Sequence, residues 1–193
     1  MSLKHAILGF LSYAPLSGYD LKKAFDQSVR HFWPADQSQI YRTLAQLAAD
    51  GLAMPEVIAR EERLDRKVYH LTDAGRAELH RWLTSPLPPA DTREPFLIQV
   101  FFAGNLSDDE ALALLEGERA LIAGQLAEFE ALFDHLAAQP VPDDQARLFF
   151  FTMLTLERTI ALGRPYLAWL DGAIDRARRG DYTPTLPHLL TEE

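Results

Sequence analysis

The chain has 193 residues, 48% of them apolar, with 19 Lys+Arg, 28 Asp+Glu and no cysteine. This is enough for one large core or two small ones; it excludes disulfides and thiolate metal sites and fits a reducing cytoplasm. The formal net charge of −9 excludes a sequence-indifferent nucleic-acid coat, which needs a broad positive field. The charge is uneven, because residues 1–84 hold 11 Lys+Arg against 10 Asp+Glu, whereas residues 85–193 hold 8 against 18. All four lysines (Lys4, Lys22, Lys23, Lys67) lie in the first part. A specific DNA reader whose few basic residues face one way remains compatible with this balance.

The N-terminal apolar run is interrupted and lacks a cleavage pattern, so a buried first helix is expected rather than a signal peptide. Leu3, Ile7, Leu8 and Leu11 recur at helical spacing, and Pro15 predicts the end of that helix near Tyr13. Ser17 with Asp20 forms a capping-box signature for a second helix, whose inner face is Leu21, Ala24, Phe25 and Val29. An aromatic connector, His31–Pro34, follows. Asp36 is a strong N-cap for a third helix, with Gln39 at the reciprocal position and Gly51 as the stop.

Within that third helix, Ile40, Leu44 and Leu47 form one inward stripe. The opposite side carries Ser38, Arg42, Ala45 and Ala49, flanked by Gln39 and Gln46. Such a face suits a DNA groove. Arg42 matches guanine bidentately and Gln39 or Gln46 matches adenine. Ser38 near the helix start suits a phosphate or base edge, and Ala45 allows close approach. Tyr41, beside the buried stripe, either hydrogen-bonds a phosphate or packs. Residues 52–60 and 66–71 read as strands with Glu61–Asp65 as the tip, a hairpin wing. Its Arg60, Arg63, Arg66 and Lys67 suit phosphates or a minor groove. Thr72 caps a fourth helix carrying Ala74, Leu79, Trp82 and Leu83.

Three prolines among residues 86–89 break helix and stiffen the chain, placing a linker at 85–92. The expected organisation is a winged helix-turn-helix domain over 1–84, a helical dimerisation domain over 93–180 and a C-terminal tail over 181–193. The fold class is therefore mainly α, with a two-stranded wing. Arg93–Asn105 predicts a short helix. Ser107 and Glu110 form a capping box for a long one, in which Ile122, Leu126, Phe129, Phe133 and Leu136 follow a heptad seam. After a turn at 138–144, a last helix repeats the pattern with Phe149, Met153, Leu156, Ile160, Gly163, Leu167, Leu170 and Ile174, and Pro165 predicts a kink. This seam packs within the chain and also serves as a candidate dimer interface, with Phe150, Leu154 and Trp169 forming a second apolar face to be covered. No run is apolar for long enough to span a membrane.

Certain runs carry a family resemblance: HAILGFL (5–11), SGYDL (17–21), SQIYRTL (38–44) with Leu47, DGL (50–52) and RKVYHLTDAGR (66–76). In this order they resemble the PadR family of bacterial transcriptional regulators. REPF (93–96) and FFAGNLS (101–107) resemble the helical C-terminal domain of virulence-activator regulators. The resemblance implies a homodimer that binds a double-stranded DNA operator, usually represses, and in some members is released by a small molecule. It supports Ser38, Gln39, Tyr41, Arg42, Arg63, Arg66 and Lys67 as DNA-proximal. At the wing tip, EERLD (61–65) stands where many relatives have a glycine-containing turn.

No nucleotide-binding glycine loop, G-x-S-x-G or H-E-x-x-H is present, and the six histidines lack metal spacing. Asp108–Asp109 and Asp143–Asp144 sit at helix starts, where the dipole suits them. No catalysis, cofactor, metal or membrane contact is expected. Two further readings stand beside the DNA regulator. One is a protein-interaction adaptor on the same scaffold, suggested by a near-neutral first part and an acidic second. The other adds an aromatic or hydrophobic effector held among Trp33, Trp82 and Trp169, against the plainer reading of three core tryptophans.

Overall fold

The computed structural model describes residues 2–58, 66–88 and 93–185. Two compact units result, Met1–Ala90 and Asp91–Glu193. No helix among the described residues is long and apolar enough to cross a membrane.

The first unit opens with α1 (Ser2–Tyr13), β1 (Leu16–Ser17) and α2 (Gly18–Ser28). Ser17 caps α2 as its signature predicts: its hydroxyl oxygen accepts from the Asp20 N–H at 3.2 Å, and its own N–H donates to the Asp20 carboxylate at 2.9 Å. Then come α3 (Gln37–Ala49), β2 (Ala53–Ile58), β3 (Arg66–Leu71) and α4 (Asp73–Leu83). Ile7, Leu8, Leu11, Leu21, Phe25, Ile40, Leu44 and Leu47 are all buried in one core. These are the inward stripes of the first three helices, and Ala53, Tyr69 and Leu79 from the strands and α4 complete the core.

Gly51 ends α3 with φ +71°, a left-handed conformation that lets the chain turn at once into β2. Gly51→Ala places a Cβ where left-handed backbone disfavours it, and is expected to cost about 1–2 kcal/mol, read as a lower urea midpoint with an unchanged m-value.

The wing is larger than a two-stranded hairpin. The sheet order is β1-β3-β2, all antiparallel, with Leu16 opposite Tyr69, and Ala53 opposite Leu71 through Ile58 opposite Arg66. Two residues between helices carry too little periodicity to be read as a strand; β1 exists because β3 offers its free edge to the chain entering α2. The tip at 59–65, including Arg60 and Arg63, lies outside the described residues.

In the second unit, α5 (Pro95–Phe102) runs into a 3₁₀ turn (Ala103–Asn105), followed by α6 (Asp108–Ala137) and α7 (Ala146–Arg178). The Ser107–Glu110 box is formed, with Ser107 N–H donating to the Glu110 carboxylate at 2.9 Å. The last helix continues through Pro165. The two long helices make an antiparallel hairpin bridged by three ion pairs: Arg178–Glu116 at 2.7 Å, Arg119–Asp171 at 2.5 Å and Arg164–Glu130 at 2.7 Å. Singly such exposed pairs add little to stability; the packed apolar seam holds the two helices together.

The heptad residues are used inside this hairpin. Leu126, Met153, Leu156 and Ile160 are buried within one chain. Phe129, Phe133, Leu136 and Leu167 pack against that cluster, and Ile122 and Phe149 are half-buried. Six residues of the expected dimer interface (Leu126, Phe129, Phe133, Leu156, Ile160, Leu167) thus pack together in the intrachain seam, the intrachain half of the expectation. A heptad stripe says that a helix faces another helix without saying which one. The short turn between α6 and α7 makes the chain's own next helix the nearest partner. Large apolar side chains left at the surface of this unit include Ile98, Phe101 and Phe102 of α5, Phe150 and Phe151 at the start of α7, and Leu121 and Leu162 along the long helices.

Candidate nucleic-acid interface

Asp36 sits at the N-cap of α3, and its N–H donates to Gln39 Oε1 at 3.5 Å. With Ile40, Leu44 and Leu47 turned into the core, the other side of α3 carries Ser38, Gln39, Arg42, Ala45 and Gln46, all exposed. Periodicity alone placed these five on one face, and the helix presents them together. Among the described residues, Arg42 donates only from Nε, to the Ser38 carbonyl at 3.3 Å, and Gln46 Nε2 donates to Asp50 Oδ1 at 2.7 Å. Both bonds are local and solvent-exposed, so exchanging them for bonds to base edges costs little net free energy.

Tyr41 packs rather than standing free. Its ring lies over the start of α2, where a Cβ on Gly18 would come within 2.6 Å of Cε1. Glycine at that position is what lets the ring settle there, and the ring still keeps 46% of its surface exposed.

In the wing strand the two basic residues differ. Lys67 is exposed, with its ammonium 5.4 Å from the Tyr69 ring centroid. Arg66 instead forms an ion pair with Asp20 of α2. Burial pushes the Asp20 carboxyl up, but hydrogen bonds from Ser17 and the Arg66 guanidinium outweigh it and hold its pKa below the usual range. Arg66 is thus paired within the chain, whereas Lys67 stands at the surface. Asp20 was legible only as a cap, because its partner lies 46 positions along the chain.

The tryptophans have three different surroundings. Trp33 is exposed and lines a cleft with Leu3, Lys4, Pro34, Gln39, Arg42, Thr43 and Gln46. It therefore stands on the flank of α3. Trp82 is half-buried, stacked on His5 with centroids 4.7 Å apart. His5 and Lys4 both reach Glu78, at 3.1 and 2.9 Å, which ties α1 to α4. Trp169, in the second unit, stacks on Tyr166 at 5.7 Å. Burial and a 3.0 Å hydrogen bond to Glu118 push the Tyr166 hydroxyl up to about 12, so it stays a donor at neutral pH. None of the three is a fully buried core tryptophan. Lys4 was passed over in the sequence because a single lysine in a helical first turn carries no positional signal. Among the described residues, no group of three or more His, Asp or Glu is placed to hold a metal.

Comparison with known proteins places this geometry. Residues 7–81 match the model of the transcriptional regulator PadR-like family, and residues 92–178 match that of the virulence activator alpha C-terminal domain. The negative transcriptional regulator PadR of Bacillus subtilis is 31% identical over 173 residues, 89% of this chain and 95% of that one. The crystal structure of Bacillus subtilis PadR in complex with operator DNA superposes with a TM-score of 0.79 at 30% identity, covering 92% of this chain and 99% of that one. The same protein in complex with p-coumaric acid gives 0.76 at 30% identity, covering 91% and 95%.

Proposed function

Because the chain belongs to the transcriptional regulator PadR-like family, we propose that it acts as a homodimeric repressor that reads a pseudo-palindromic operator and is released by a small aromatic effector. It is a DNA-binding transcriptional regulator, and its relatives are regulators rather than enzymes. The observation that carries the reading is the exposed Ser38–Gln39–Arg42–Ala45–Gln46 face of α3 above a fully buried stripe, in a fold that superposes on a relative holding operator DNA.

In this reading Arg42 and the two glutamines contact base edges, Ser38 and Lys67 contact the backbone, and Tyr41 supports the helix from the side. Arg63 belongs to the same set as a backbone contact from the wing. The acidic second unit contributes no DNA affinity of its own. Its role is to hold two reading helices one helical turn apart. Ile98, Phe101, Phe102, Phe150 and Phe151, apolar and exposed in a single chain, are the side chains that a second copy covers. The p-coumaric acid complex of the relative supports an aromatic effector here, and the protein works in the cytoplasm.

Selection of bound duplexes from a random DNA pool tests the proposal. The expected result is an enriched inverted repeat; a pool with no enriched motif removes the operator-binding reading and leaves the adaptor. Tryptophan fluorescence against a panel of aromatic acids tests the effector. A saturable change that also releases the selected duplex is expected, and a flat response across the panel would leave this chain without an aromatic effector.

A further inference from the structure

The base of the wing, the start of α2 and the side of α3 meet at one small junction. Strand β1 pairs with β3 at Ser17–Val68 and leads directly into α2. At the third position of α2, Asp20 accepts from Ser17 N–H at 2.9 Å and from Ser17 Oγ at 2.6 Å. The same carboxylate oxygen takes the Arg66 guanidinium from the first residue of β3. One residue before Tyr19, Gly18 carries the Tyr41 ring of α3. The three elements that would face DNA therefore meet at residues 17–20, where Asp20–Arg66 is a side-chain ion pair between α2 and β3.

We propose that Asp20 and Arg66 are positioning residues for operator binding: their ion pair locks the wing strand to the helix-turn-helix, and Arg66 acts through Asp20 rather than on a DNA phosphate. The inference rests on the operator-binding reading above. Its physical basis is geometric. Val68 and Tyr69 bury the middle of β3, but its first residue, Arg66, lies beyond the two β1–β3 residue pairs. A planar guanidinium held by a carboxylate that is itself held by a helix cap adds a directional restraint at that point. The partly exposed pair contributes little to overall stability, so its effect should appear in binding more than in folding.

Charge makes the proposal sharply testable. Removing a negative charge from a DNA-binding domain strengthens binding if electrostatics alone operate. Positioning predicts the reverse. Asp20→Asn keeps an oxygen for the Ser17 N–H and loses only the charge that holds Arg66. With the full chain and the selected duplex, anisotropy titrations should show Asp20→Asn binding about 5- to 20-fold more weakly than the parent.

Arg66→Met should weaken binding similarly while leaving the slope of log K against log salt unchanged. Loss of a true phosphate contact would reduce that slope by about 0.9. The double variant should bind no more weakly than either single one, since the pair acts as a unit. Arg66→Lys, which keeps the charge, should recover part of the loss. All titrations are run well below the measured Tm of each variant, so partial unfolding does not enter. Asp20→Asn binding as tightly as the parent or tighter overturns the proposal, as does a salt slope reduced by about 0.9 in Arg66→Met. Absence of duplex binding by the parent protein overturns both this inference and the functional reading it rests on, whereas a binding parent with indifferent variants overturns the inference alone.

Discussion

Arg42→Ala should weaken operator binding by about 1–3 kcal/mol and relax base preference at one position in each half-site. The expectation follows from where the side chain stands. Arg42 is exposed on the α3 face opposite Ile40, Leu44 and Leu47, and its bond to the Ser38 carbonyl is local. Truncating it therefore disturbs no core packing, and the folded state should keep its Tm. A guanidinium that pairs with O6 and N7 of guanine leaves both acceptors unpaired when removed, which is why the loss is large and base-specific. Lys67→Ala is the natural control. A backbone contact should lower affinity evenly across sequences and reduce the salt slope by about one. Binding reduced by only a few tenths of a kcal/mol in Arg42→Ala, with unchanged base preference, would remove Arg42 from the reading set.

Phe101→Asp combined with Phe102→Asp should convert the protein to a folded monomer and lower operator affinity by about 100-fold or more, because two half-sites are no longer engaged together. Phe101 is 81% exposed and Phe102 58% exposed in the single chain, so neither supports the intrachain core. Two carboxylates at a covered apolar contact would be desolvated and unpaired, a cost that outweighs ordinary interface energies. Leu126→Asp provides the contrast. Leu126 is buried between α6 and α7, so that change should unfold the hairpin rather than release an intact monomer. Sedimentation and circular dichroism together separate the outcomes. A Phe101→Asp/Phe102→Asp protein that remains dimeric would move the interface away from α5.

The regular elements of this protein are legible in its sequence wherever local chemistry decides. Ser17, Asp36, Thr72 and Ser107 each stand at a helix start, with their partners three residues on. Gly51 marks a left-handed stop, and three-and-four spacing separates the buried stripe of α3 from its exposed face. All of these are interactions within a few positions, which a linear pattern records. The family resemblance adds the functional direction, through motifs that cover the reading helix and the second wing strand.

Contacts between distant positions decided the rest. The strand at Leu16–Ser17 forms only because the edge of β3 is available. The pairing of Arg66 with Asp20 spans 46 positions, and Trp33, read as a core residue, emerged beside Arg42. The heptad stripes of α6 and α7 were read as packing within the chain and across a dimer, and the intrachain half is what the single chain displays.

By itself, then, the sequence determined the helices, their caps, the inward stripe of α3 and the identity of the residues on its outer face. It did so because each depends on hydrogen bonds and burial within one or two turns. Only the tertiary structure decided which charged and aromatic side chains are committed inside the chain and which remain at the surface. Those commitments depend on which distant segments come together, and residue spacing carries no record of them.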